Sequence, residues 1–213
     1  VSAPGDNLLA FAAWLGAIVD RLRKGVAPIP SDAEELARDC ASFGVGSTLA
    51  KPRAPDWSEE RCPQGIVPLI REIHLRIKGT AFERQLMGEL LHIVPPDDVL
   101  EDMLSRDVLV DQIGHLPLAD SLLWRLADQV PEALLTLGKR RFLNAPYTAD
   151  QFEEVLYAYP SHYWLFSSLA QLECDSPEKL DCLARYLAAL PDRSTMMRHS
   201  SPTLHELVRS HGG

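Results

Sequence analysis

The chain has no run of 18 apolar residues, which argues against a membrane-spanning helix. Its one long apolar stretch near the start, Leu8 to Val19, follows Asp6 and precedes Arg21, Arg23 and Lys24, the reverse of the charge order in a secretory leader. Cysteine is sparse. Cys40, Cys62, Cys174 and Cys182 form no CxxC pair, and the gap between Cys174 and Cys182 suits neither a zinc knuckle nor a disulfide framework. Reduced, mostly buried thiols in a cytoplasmic protein are the expectation. Positive charge is also short: the net charge is −9. Residues 1–94 carry a net −1 and residues 95–213 a net −8, with nine carboxylates facing only Arg106 and Arg125 between Pro95 and Leu135. Nucleic-acid binding needs cationic neutralisation of phosphates, so this balance disfavours it.

Catalytic signatures are missing as well. There is no Gly-x-Ser-x-Gly elbow, phosphate loop or dinucleotide glycine fingerprint, and Gly44-Val-Gly46 is too short to count. Glu89-Leu-Leu-His92 has the Glu-x-x-His spacing of bundle di-iron sites, but no second copy exists, so a solvent-facing pair is expected. His199, His205 and His211 recur every six residues, a spacing that spreads them around a helix. No catalytic residue, cofactor or metal ligand is therefore assigned.

What is present is helical periodicity. Leu8, Phe11, Leu15, Ile18 and Leu22 share one face of a first helix that ends in basic residues and Gly25. Ser31-Asp-Ala-Glu34 is a capping box opening a helix toward Phe43. Gly44 to Gly65 holds three prolines and reads as a long loop pinned by Trp57, a kind that tends to be functional. Leu69, Ile70, Ile73 and Ile77 mark the next helix, closed by Lys78-Gly79. Thr80-Ala-Phe-Glu83 is a second capping box, and that helix stops at Pro95-Pro96.

From Pro96 onward a Pro-marked turn returns at Pro117, Pro146, Pro177 and Pro202, each followed by an apolar pair at helical spacing. First helices are expected near 97–106, 119–129, 148–159, 177–189 and 202–210, with partners near 107–115, 131–143, 161–172 and 192–199. A register of 21 to 31 residues points to stacked helical pairs. The segments Pro146-Tyr-Thr-Ala-Asp-Gln-Phe152-Glu-Glu-Val-Leu156 and Ser176-Pro-Glu-Lys-Leu180-Asp-Cys-Leu183-Ala184 carry a Ser/Thr cap, an acidic first turn and an apolar pair. Leu118 to Pro191 thereby resembles the helical-repeat superfamily, nearer HEAT-like and leucine-rich-repeat-variant proteins than tetratricopeptide ones. The resemblance implies architecture and a tendency toward protein binding, and transfers no functional residue.

The expected fold is all-α, an α-solenoid-like stack of antiparallel helical pairs over 95–213 preceded by an N-terminal helical region, 1–94. Seven of the fifteen aromatics fall between Tyr147 and Phe166. Phe152, Leu156, Leu165 and Leu169 fill a core stripe that Tyr157, Tyr159, His162, Tyr163 and Trp164 cannot all share. Those five are the expected anchors for a protein or peptide partner, and the acidic run suits a basic one. Lys139-Arg140-Arg141 reads as a complement to a helix dipole. The leading functional expectation is an interaction module without catalysis. The alternative is an enzyme or regulatory fragment of a larger assembly, with a cleft between the N-terminal helices and the repeats.

Overall fold

The computed structural model describes residues 4–27, 65–93, 96–116, 118–158, 163–191 and 193–212. The capping box at Ser31, the 44–64 part of the long loop, Trp57, Cys40, Cys62, Tyr159 and His162 lie outside the described residues. Among the described residues there are eleven α-helices and no strand. The chain divides into two compact units, Val1–Leu122 and Leu123–Gly213.

In the first unit, α1 (Pro4–Arg23) packs on α2 (Ile66–Ile77), and α2 packs on α3 (Glu83–Ile93). Gly25, at φ 74°, takes the left-handed conformation expected after α1. The apolar stripe of α2 is buried through Ile66, Ile70, Ile73 and Ile77, which recur every three to four residues. His74 lies within this buried face. Helix α4 (Asp97–Ser105) buries Val99, Leu100, Met103 and Leu104.

The partner helix expected over 107–115 reduces to one 3-10 turn, Val110–Gln112. Asp107 and Leu109 both have positive φ, 62° and 66°, a conformation an α-helix cannot contain. Leu109 is nevertheless fully buried, close to Gly88 of α3. Burial of that side chain, which periodicity alone does not reveal, outweighs the local cost of the left-handed backbone.

Helix α5 (Asp120–Leu126) spans the division between the units. In the second unit lie α6 (Pro131–Leu143), α7 (Ala149–Ala158), α8 (Tyr163–Leu169), α9 (Pro177–Ala189), α10 (Arg193–Met196) and α11 (Pro202–His211). Helix α6 packs on α7 and on α8, α7 on α9, α9 on α10 and α11, and α8 on α10. The caps follow the sequence. Thr148 and Gln151 exchange backbone and side-chain hydrogen bonds at the start of α7. Ser176 and Ser201 accept from the N–H groups of Lys179 and Leu204, with Pro177 and Pro202 at the first helical positions. Gly138 permits the approach to α6: a methyl group there would sit 3.2 Å from Leu165 of α8 and 3.5 Å from Val155 of α7.

Candidate functional site

A linked array of charged side chains lies in the first unit, where the ends of α2, α3 and α4 meet. His74 and Glu83 are 5% and 3% exposed, so neither is a surface group. Glu83 was legible in the sequence as a capping residue. Its Oε2 accepts from the Gly79 N–H at 2.7 Å rather than from Thr80, whose hydroxyl donates to the Ile77 carbonyl. Gly79 is left-handed, at φ 76°, and this turn aims its N–H back toward α3.

Arg106, just beyond α4, donates to both Glu83 oxygens and, through Nη2, to Asp102 Oδ2 at 2.8 Å. Lys78 donates to Asp102 Oδ1 at 2.6 Å. His74 Nε2 lies 2.9 Å from Asp102 Oδ2, while Nδ1 is buried, has no hydrogen-bond partner and lies 3.7 Å from Glu83 Oε1. Burial pushes the Asp102 carboxyl up, but hydrogen bonds from Lys78, Arg106 and His74 outweigh it and bring the pKa down to about 2. For Glu83 burial likewise pushes up, and the Arg106 and Gly79 hydrogen bonds hold it below the ordinary carboxylate range. The Glu83 hydrogen bond raises Arg106 in turn. An ionised carboxylate only accepts, so His74 Nε2 carries a proton toward Asp102.

His74, Glu83 and Asp102 each bring one ligand atom within 4.8 Å of the others, the spacing of a metal-binding set. The donors already present do not fit a dication. Arg106 Nη2 bridges the two carboxylates, and Lys78 and the Gly79 N–H take the remaining oxygens. Two cations already balance two anions, so a divalent ion would add uncompensated charge to a buried place. The arrangement ties α2, α3 and the end of α4 together through ion pairs and hydrogen bonds. Only Asp102 and Arg106 stand at helical i,i+4 spacing; their meeting with His74 and Glu83 has no counterpart in the spacing of the sequence. A histidine beside Ile73 and Ile77 on an apolar stripe was the available signal.

This network also changes the reading of the acidic run. Asp98 pairs with Arg71 at 2.9 Å, Asp111 with Arg84 at 2.5 Å, and Asp102 with Lys78 and Arg106. Part of that negative charge is therefore neutralised by bases from α2, α3 and their connecting turn. Replacing Asp102 with Asn should make acid sensitivity visible. A carboxyl depressed in the folded state stabilises it above the unfolded pKa of about 4, and that contribution fades as pH falls toward 2. The parent should exceed Asp102→Asn by about 1–2 kcal/mol at pH 7, after allowance for an Asp102 side chain one-third exposed. Urea midpoints at pH 7, 5, 4 and 3 should converge as pH falls; a constant gap would contradict the assignment.

Of the expected anchors, Tyr157 and Trp164 are 57% and 38% exposed. Tyr157 lies in the last turn of α7 and packs edge-on against Tyr186 of α9, ring centroids 5.1 Å apart. Tyr163 begins α8, its side chain outside the described set. Phe152, Leu156, Leu165 and Leu169 form the buried stripe, as their spacing required.

The basic triplet holds more than a dipole complement. Arg141 is buried, donates to the Gln151 carbonyl at 2.5 Å and to Glu154 at 2.7 Å, and has the Trp124 and Tyr147 rings 5.3 and 5.9 Å away. Lys179 is buried as well and donates to the carbonyl of Asn144 at the end of α6. The histidines do not gather: His211 lies against Asp181 at 2.7 Å, and His199 is exposed. Glu89 is exposed. Cys174 and Cys182 are free thiols, and burial pushes Cys182 above the ordinary thiol range. No described helix is long and apolar enough to cross a membrane. No family model, curated protein or solved structure matches this chain.

Proposed function

We propose that the second unit is a helical-repeat interaction module that binds a protein or peptide, with Tyr157 and Trp164 among its anchors. The observation that supports this reading is the order of packing. First helices α7, α9 and α11 touch in succession, and second helices α6, α8 and α10 touch in succession, with α6–α7 and α9–α10 contacts between the rows. Two rows of alternate helices are what a stack of helical pairs requires. In such a stack each repeat buries its own apolar stripe and leaves the outer faces free to vary. An amphipathic aromatic on such a face binds a partner at low conformational cost.

Tyr157→Ala tests the reading. The ring is largely exposed, so its loss should lower fold stability by no more than about 1 kcal/mol, mostly the edge contact with Tyr186. A protein captured by the parent from native lysate should be lost by the variant, as judged by quantitative mass spectrometry, with melting temperatures nearly equal. Identical capture, or a collapse in melting temperature, would remove the anchor role.

A further inference from the structure

We propose that the exposed face of α7 receives the cationic side chain of a basic peptide, held between the Glu154 carboxylate and the Tyr157 ring. The proposal rests on the interaction reading above and assigns its partner a chemistry. Residues three apart on a helix share a face, so Glu154 and Tyr157 are neighbours. Glu154 is 63% exposed yet not loose. Its Oε2 is held by Arg141, and the buried Arg141 is itself fixed by the Gln151 carbonyl and the rings of Trp124 and Tyr147. A carboxylate has about four acceptor sites, so this one contact orients the group while leaving capacity for another donor. An acceptor ordered in advance loses little freedom on binding.

The ring beside it is steadied in the same way. Tyr157 rests edge-on against Tyr186, which is buried and packs on Phe166 at 4.4 Å. An exposed aromatic next to a fixed carboxylate suits a guanidinium or ammonium, which pairs with the charge and lies over the ring. The surroundings agree in sign. Asp150, two turns before Tyr157, is exposed, and Arg185 of the neighbouring helix is engaged by Glu153 and Asp181. An apolar partner would cover the Glu154 charge without replacing its water, and an anionic one would be repelled.

The test uses the whole chain and a capped (Gly-Arg)4 peptide, followed by amide NMR shifts, against the same peptide with citrulline replacing arginine. Citrulline keeps the shape and removes the charge. The arginine peptide should shift amides of 150–158 saturably and bind about tenfold or more tighter than the citrulline one. Glu154→Gln, which keeps an oxygen for Arg141, and Tyr157→Leu should each weaken binding about fivefold. Asp128→Asn, at an exposed carboxylate outside α7, should not. Shifts spread over every acidic surface, equal binding of the two peptides, or equal loss with Asp128→Asn would overturn the proposal. The two readings fail separately. If Tyr157→Ala loses a native partner but the arginine peptide does not bind, the cation site falls and the module stands. If the peptide binds at α7 but Tyr157→Ala captures all that the parent does, the module reading falls instead.

Discussion

Replacing Arg106 with alanine is expected to destabilise the first unit by about 3–5 kcal/mol, the usual consequence of removing one partner from a buried ion pair. Glu83 would keep only the Gly79 N–H, and Asp102 would keep Lys78 and His74. The larger part of the loss falls on Glu83, because its burial opposes ionisation and Arg106 is its main compensation. Two companion variants separate desolvation from attraction. Glu83→Gln in the Arg106→Ala background should recover much of the loss, since no buried charge is then left unpaired. Arg106→Lys should recover little, because an ammonium cannot reach both carboxylates as a planar fork does. Urea denaturation supplies the free energies, and hydrogen exchange should place the loss in α2 to α4. A cost below about 1 kcal/mol would mean that Glu83 is well solvated in solution and that the cluster is not a lock.

The second large effect belongs to the other unit. Phe152 is fully buried on α7 with its ring 5.0 Å from that of Phe142 on α6. Phe152→Ala should cost about 3–5 kcal/mol, from lost transfer energy and the cavity left behind. Phe152→Leu, which retains most of the volume, should cost clearly less. Faster hydrogen exchange should concentrate in α6, α7 and α9, the helices packed around this position, because nearest-neighbour packing passes instability to adjacent helices first. Uniform acceleration across both units would mean that they unfold as one.

Much of the helical framework was legible because it rests on local rules. Thr148, Ser176 and Ser201 cap helices where a hydroxyl precedes an apolar register, since the backbone N–H groups there need an acceptor wherever the helix packs. Phe152, Leu156, Leu165 and Leu169 are buried because one stripe at helical spacing must face inward. The expected helix over 107–115 failed for the opposite reason. Burial of Leu109 beside Gly88 is a contact across 21 positions, and it selects a backbone that local propensity disfavours. The meeting of His74 and Glu83 with the Asp102–Arg106 pair was invisible on the same grounds.

By itself, then, the sequence determined an all-helical chain, the starts of its later helices, and many of the residues that line its buried stripes. These follow from periodicity and from the needs of backbone groups at helix ends. Only the tertiary structure decided which charges meet. It turned part of an acidic run into ion pairs within the fold, buried Arg141 and Lys179 at the end of α6, and set Glu154 in place one turn before Tyr157. Coulomb attraction and desolvation act through space between residues far apart in the chain, and spacing along the chain carries no record of them.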